Sequence, residues 1–203
     1  MEHQSSAVGT AAGFDPAAEV FVAQFARPET LQPVNFRALS PFYRSLLVID
    51  GTVTKFIEAF TMEPVVVERL SQEEFVLPAD HEWLEAPAGT RVIAREVLLR
   101  GTLRGVVFAH AASLLVTERL PSSVQDELAT HPGGLGRIMN DAGLETRRDI
   151  LWYGRERNAV PPEGLGGRGE FIARTYRVVH DGRPFMLINE KFPVGVDPAP
   201  SLD

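Results

Sequence analysis

The sequence predicts an α+β fold: a single six-stranded antiparallel sheet with helices packed on one face. Two observations carry this prediction. Six β-branched or apolar runs lie between residues 64 and 193, and most are joined by short turns. Segments with helix-start signals precede and interrupt these runs. No internal repeat or linker divides the chain, so we expect residues 15–203 to form one domain, with residues 1–14, which are small and polar, as a disordered tail.

The first part of the domain carries the helix signals. In "DPAAEVFVAQFA" (15–26), Asp followed by Pro is typical of an N-cap and a first helical position. "LSPFYRSLLVIDG" (39–51) repeats this with Ser and Pro, and its Gly predicts the end of the helix. "TVTKFIEAFT" (52–61) fits either a helix or a strand, because its β-branched residues favour strands.

Strand signals dominate from residue 64 onward. The predicted strands are 64–75, 91–101, 105–116, 145–156, 170–180 and 184–193. Asp-Gly between the last two is a strong hairpin signal. Between the third and fourth strands, "PSSVQDELATH" (121–131) reads as a helix, and "PGGLGRIMND" (132–141) as a glycine-rich turn leading into a short helix or loop. The Pro/Gly-rich segment 158–169 is predicted to be a long loop.

Composition limits the classes of function. The chain has 203 residues, of which 44% are hydrophobic and 23% charged, as in ordinary globular proteins. Its formal net charge of -7 argues against a nucleic-acid partner. Without cysteine, disulfides and Cys-based zinc sites are excluded, and no histidine pair has metal-ligand spacing, so we expect no metal. No apolar run approaches the roughly 20 residues of a membrane span, and we expect a cytoplasmic protein without a membrane partner.

Two predicted strands each place one charge in an apolar row. Side chains alternate between the faces of a strand, so Arg95 lies in the row of Ile93 and Val97. Glu190 lies in the row of Ile188 near the end of the last strand. Burying an unpaired charge is very costly, so each of the two needs a partner.

The pattern leaves two interpretations open. In the first, Arg95 and Glu190 pair with each other, or with Glu96, Arg100 or Lys191 at a sheet edge. In the second, both line a cavity beside the sheet. The planar fork of Arg95 would then bind a carboxylate, and Glu190 would accept a hydrogen bond from a hydroxyl or exchange a proton with it. A small acid with an anionic end and a hydroxyl end would fit between them.

Four segments, in this order, resemble the chorismate pyruvate-lyase family of 4-hydroxybenzoate synthase-like enzymes. They are "DGTVTKFIE" (50–58), "REVLLRG" (95–101), "GLGRIM" (134–139) and "GRPFMLINEKFP" (182–193). The resemblance implies the fold already predicted. It also implies conversion of chorismate to 4-hydroxybenzoate and pyruvate without a metal or organic cofactor. We expect the protein to be a monomer or a weak dimer.

The resemblance also implies roles for four residues. Arg95 corresponds to the family's carboxylate-binding arginine, Leu135 to its loop backbone contact, and Glu190 to its acidic residue at the ring hydroxyl. Val53 corresponds to a flap position that is commonly Met in the short enzymes of the family, and a backbone N–H contact there would survive this change. Arg95 and Glu190 are therefore the candidate catalytic residues.

Two other functions fit the same pattern. A non-catalytic effector-binding domain would use a pocket with one arginine and one glutamate equally well. A diverged enzyme acting on another cyclic carboxylate would have room for a different substrate in the 158–169 loop and the long N-terminus.

Overall fold

Six strands form one sheet in this computed structural model, which describes residues 15–130, 135–157, 165 and 169–196. Every neighbouring pair is antiparallel, in the order β1-β2-β3-β6-β5-β4. The strands are β1 Val65–Val76, β2 Arg91–Gly101, β3 Val107–Leu115, β4 Arg147–Arg157, β5 Glu170–His180 and β6 Arg183–Pro193. The sheet thus consists of two three-stranded meanders that meet where β3 pairs with β6.

Among the described residues, four helices cover one face of the sheet, which confirms the predicted fold class. They are α1 Pro41–Val48, α2 Val53–Thr61, α3 Ser122–Thr130 and α4 Leu135–Asp141. Segment 52–61 is helical because Val53 and Ile57, one turn apart, are buried in the core beneath it. The main core joins side chains of all four helices to the inward face of the sheet.

The helix predicted at the start of the domain is wrong. The chain there forms turns and a short 3-10 helix, Gln24–Ala26. The backbone N–H groups of Val22 and Ala23 donate to the carbonyls of Ile150 and Leu151, each at 2.9 Å. An edge strand leaves a row of carbonyls that need donors, and an α-helix would have used these N–H groups internally. The N-terminal segment therefore covers the free edge of β4.

Tight turns close the hairpins. Asp181 and Gly182 join β5 to β6 with φ angles of 48° and 74°, as a type I′ turn requires, which confirms the predicted hairpin. α1 ends at Val48, before the glycine predicted to end it. The expected tail 1–14 lies outside the described residues, as does most of the expected 158–169 loop.

Glu63 holds the turn between β2 and β3. Its carboxylate accepts hydrogen bonds from the backbone N–H groups of Leu103 at 2.7 Å and Arg104 at 2.8 Å, and from Arg104 Nε at 3.0 Å. Only 2% of Glu63 is exposed, and a Cβ at Gly101 would lie 2.4 Å from its Oε1. Glycine at position 101 therefore makes the room for this carboxylate.

Glu63→Gln is expected to destabilise the protein in a pH-dependent way. The backbone hydrogen bond from Arg104 lowers the pKa of Glu63, and the Arg104 side chain adds to this. A carboxyl whose pKa is lowered by folding stabilises the protein above its unfolded pKa, and this stability is lost as the pH falls through the folded value. The melting-temperature difference between wild type and Glu63→Gln should therefore be largest at neutral pH and shrink below about pH 4.

The matched control is Glu68→Gln, at an ion pair with Arg100 in which 48% of the Glu68 side chain is exposed. An exposed ion pair of this kind contributes little to stability, so Glu68→Gln should melt close to the wild-type temperature at every pH. A Glu63→Gln difference that stays constant between neutral and acidic pH would contradict the assigned role.

Candidate active site

A cavity lies between the helix-covered face of the sheet and the starts of α2 and α4. Its empty volume is about 710 Å³, which includes the solvent-open space at its mouth. All four residues singled out in the sequence, Val53, Arg95, Leu135 and Glu190, line this one cavity. Most of the remaining wall is apolar, formed by Val67, Val97, Leu99, Ala111, Met139, Val178, Met186 and Ile188.

Arg95 reaches the cavity from β2, where Ser113 of β3 lies opposite in register. Only 2% of Arg95 is exposed, and the Ser113 hydroxyl donates to its backbone carbonyl at 3.3 Å. Burial lowers the pKa of Arg95, and the positive charge of Arg69 on β1 lowers it further. Both causes oppose a positive charge at this point, so an anion bound beside Arg95 would be stabilised.

Glu190 reaches the cavity from β6 and is bound on both carboxylate oxygens. Oε2 accepts from Arg174 Nε at 2.8 Å, and Oε1 accepts from the Tyr176 hydroxyl at 3.1 Å. Only 6% of Glu190 is exposed. The interpretation that Glu190 pairs with Arg95 is therefore wrong, because Arg174, directly opposite on β5, is its counter-ion.

Arg174 joins the sheet to the roof of the cavity. It is fully buried, and its Nη1 donates to the carbonyls of Leu47 at 3.2 Å and Ile49 at 2.9 Å. These carbonyls lie at the C-terminal end of α1, where a helix leaves acceptors without intrahelical donors. Arg174 thus fixes both the Glu190 carboxylate and the start of the segment that leads to Val53.

Tyr176 lies beside this ion pair with its ring 5.0 Å from the Arg174 guanidinium carbon. Burial and the negative charge of Glu190 raise the pKa of Tyr176. The phenol therefore stays protonated and remains a hydrogen-bond donor to Glu190.

The starts of two helices form the roof. Val53 is the first residue of α2 and Leu135 the first of α4. A Cβ on Gly136 would lie 3.7 Å from the Thr52 side chain, so there is room for only about one methyl group between the two helix starts at this point. The N–H groups in the first turn of a helix have no intrahelical acceptor, which leaves that of Val53 available to a ligand.

A second arginine, Arg148 of β4, lines the cavity and was not found in the sequence. Its side chain is 18% exposed, and its Nη1 lies 3.6 Å from Oδ1 of Asp50. Arg174 and Tyr176 were also missed, although a signal was present. Arg174 is a lone charge in the alternating row of Ile172, Tyr176 and Val178, the same pattern that drew attention to Arg95.

The other charges proposed as partners have different roles. Glu96 lies 3.1 Å from His110 Nε2, and burial lowers the pKa of that histidine. Lys191 pairs with Glu156 at 2.7 Å. Arg100 pairs with Glu68 at 2.9 Å.

In the described part of the chain, no group of three or more His, Cys, Asp or Glu residues is arranged to hold a metal ion. No helix there has the length and apolar character needed to cross a membrane.

Comparison with known proteins identifies the family. The family profile described as "Chorismate pyruvate-lyase Rv2949c-like" matches residues 47–198. The chain belongs to this family. The match contains every cavity residue discussed above, and it confirms the family that the four sequence segments indicated.

Relatives in mycobacteria carry the family name. A protein named "Chorismate pyruvate-lyase" from Mycobacterium leprae is 27% identical over 171 residues, which cover 80% of this chain and 79% of the relative. A protein of the same name from Mycobacterium tuberculosis is 28% identical over 168 residues, covering 80% of this chain and 84% of the relative.

Solved structures support the fold. The effector domain of PhnF from Mycobacterium smegmatis superimposes with a TM-score of 0.56 at 14% identity, covering 81% of this chain and 93% of that domain. A structure of PhnF from the same organism gives a TM-score of 0.55 at 15% identity, over 83% of this chain and 68% of PhnF. At these identities the likeness concerns the fold alone.

Proposed function

We propose that the protein is a chorismate pyruvate-lyase that converts chorismate to 4-hydroxybenzoate and pyruvate. The observation that carries this proposal is a single apolar cavity with buried Arg95 on one side and Glu190, bound by Arg174, on the other. The family of the chain and the names of its mycobacterial relatives support it.

Arg95 binds the ring carboxylate in this proposal. The guanidinium offers two parallel N–H donors that match the two carboxylate oxygens. Burial and the neighbouring Arg69 charge both oppose the positive charge of Arg95, and a bound carboxylate would offset both effects.

Glu190 accepts a hydrogen bond from the ring hydroxyl. β2 and β6 are separated by β3, and Glu190 is level with Val97, two residues along β2 from Arg95. Two strand spacings and two residue rises place the two Cα atoms roughly 12 Å apart in a flat sheet. Both side chains extend inward from these strands, which suits a six-membered ring that carries its carboxylate and hydroxyl at opposite ends. Each carboxylate oxygen of Glu190 has two lone pairs, so one remains on each beside Arg174 and Tyr176.

The reaction depends more on how the substrate is positioned than on reactive side chains of the protein. The C3–O bond breaks with its electron pair leaving on the enolpyruvyl oxygen, and the C4 hydrogen leaves as the ring becomes aromatic. A proton is added to the enolpyruvyl methylene, which becomes the methyl group of pyruvate, so the atoms balance without an oxidant or a water. The apolar wall excludes water, and the roof at Val53 and Leu135 holds the side chain in the reactive geometry. Glu190 orients the hydroxyl or takes part in the proton transfer.

The direct test is incubation of the purified protein with chorismate. Pyruvate is measured by coupling to lactate dehydrogenase, and the aromatic product is identified by chromatography against the 2-, 3- and 4-hydroxybenzoate isomers. We expect pyruvate and 4-hydroxybenzoate in equal amounts, with the same rate in EDTA.

Other outcomes of this assay would contradict the proposal or indicate one of the alternative functions. A 2- or 3-hydroxy product, or activity lost in EDTA and restored by a divalent ion, would contradict the proposal. Tight chorismate or 4-hydroxybenzoate binding without pyruvate release would indicate an effector-binding domain instead. Binding of neither would favour a diverged enzyme with another cyclic carboxylate as substrate.

A further inference from the structure

The Arg148 side chain has unused hydrogen-bonding capacity inside the cavity. Its Nε is buried and has no hydrogen-bond partner among the described residues. Its contact with Asp50 is 3.6 Å, longer than a hydrogen bond, and 68% of the Asp50 side chain is exposed. A buried donor without an acceptor is rare in folded proteins, so this one calls for an explanation.

Arg148 lies on the opposite side of the cavity from Arg95. Arg95 is on β2 and Arg148 is on the edge strand β4, with β3, β6 and β5 between them. Arg148 is directly opposite Val178, which also lines the cavity. Its positive charge acts on the phenol of Tyr176, whose hydroxyl contacts Glu190. Across the sheet, the order of the polar groups is therefore Arg95, Glu190, Tyr176 and Arg148.

This order matches the order of polar groups on chorismate. Chorismate is the substrate in the proposed function, and the inference rests on that proposal. Chorismate has a ring carboxylate at C1, a hydroxyl at C4 and an enolpyruvyl ether at C3 that ends in a second carboxylate. With the ring carboxylate at Arg95 and the hydroxyl at Glu190, the second carboxylate lies at the far end of the ring, on the side of β5 and β4.

We propose that Arg148 binds the enolpyruvyl carboxylate and makes the site selective for dicarboxylates. Asp50 lies near the guanidinium, and in this proposal the substrate carboxylate takes its place. Once the C3–O bond has broken, the ring product has a single carboxylate and no group for Arg148, so Arg148 contributes to binding of the substrate and of pyruvate but not of 4-hydroxybenzoate.

The test measures two ligands on the same variants. Arg148→Gln should raise the KM for chorismate roughly tenfold or more, because a hydrogen-bonded charge pair is lost. Its Kd for 4-hydroxybenzoate, measured by calorimetry, should equal that of wild type. Arg147→Gln is the matched control: Arg147 is the preceding residue, its side chain is 69% exposed, and it pairs with Asp149 outside the cavity. Both constants should be unchanged in this control.

Asp50→Asn separates a ligand-binding arginine from a structural one. If Arg148 binds substrate, Asp50→Asn leaves the KM for chorismate unchanged or lowers it, since a competitor for the guanidinium is removed. If Arg148 serves only to pair with Asp50, the two variants lower the melting temperature alike and neither raises the KM, which would overturn the inference. Equal weakening of both ligands in Arg148→Gln would overturn it as well.

Failure of the proposed function gives a different result. If wild type releases no pyruvate, calorimetry with intact chorismate replaces the KM. Weaker chorismate binding in Arg148→Gln with unchanged 4-hydroxybenzoate binding would then support dicarboxylate selectivity in a protein that is not a lyase. Equal chorismate binding in wild type and Arg148→Gln would overturn the inference independently of turnover.

Discussion

Replacing Arg174 with leucine is expected to lower the free energy of unfolding by about 3–5 kcal/mol, a large part of the stability of an ordinary domain. The reason is the buried ion pair with Glu190, in which 0% of the Arg174 side chain and 8% of the Glu190 side chain are exposed. Removing the arginine leaves a buried carboxylate without its counter-ion. It also removes the donor to the carbonyls of Leu47 and Ile49, so the end of α1 loosens together with the roof of the cavity.

The measurement is denaturant unfolding of Arg174→Leu beside two comparison variants. Arg177→Leu removes another arginine of the same strand. Its ion pairs with Asp149 and Glu85 lie nearer the surface, so this variant should lower the free energy of unfolding much less than Arg174→Leu. The double variant Arg174→Leu with Glu190→Leu removes both buried charges and should recover part of the loss, because apolar replacement of a whole pair is often tolerated. If Arg174→Leu lowers the free energy of unfolding no more than Arg177→Leu does, the Arg174–Glu190 pair does not stabilise the site.

Arg95→Lys is expected to weaken chorismate binding by roughly tenfold or more while the protein stays folded. Lysine keeps the positive charge but has no planar fork, so the two parallel hydrogen bonds proposed for the ring carboxylate could not both form. Hydrogen bonds to charged groups contribute about 1.5–3 kcal/mol, and about 1.4 kcal/mol corresponds to one factor of ten. Because 4-hydroxybenzoate carries the same ring carboxylate, its affinity should fall by a similar factor.

The control for this variant is Arg91→Lys on the same strand. The Arg91 side chain is 63% exposed and pairs with Glu74, so the same chemical change occurs there outside the cavity. Ligand affinity in Arg91→Lys should match wild type. Unchanged binding of both ligands by folded Arg95→Lys would mean that the ring carboxylate lies elsewhere.

Local pattern was sufficient for most of the fold. Alternation and turn signals located all six strands, and the Asp-Gly at 181–182 adopts the backbone that its residue types favour. The pattern failed at residues 15–26, where helix-start residues are present but the chain supplies donors to the edge of β4. The carbonyls that need these donors belong to a strand more than a hundred residues later, so the local sequence cannot indicate the interaction.

The candidate site was predicted in part for a related reason. A lone charge in an apolar row was enough to find Arg95 and Glu190, and the same rule applied to 170–180 would have found Arg174. Arg148 is different, because Arg147 and Arg148 are adjacent and the pairing of β4 with β5 shifts register between Ile150 and Trp152. A bulge moves subsequent side chains to the other face, so alternation cannot tell which of the two arginines points inward.

The seam between β3 and β6 determines when the cavity comes into existence. The other strand pairs join neighbours in the sequence, whereas Ala111 pairs with Glu190, about 80 residues later, and closing so long a loop slows folding. Arg95 belongs to the first meander, and Glu190, Tyr176 and Arg148 belong to the second. Neither meander alone contains the complete candidate site, so the cavity is formed only when β3 has paired with β6.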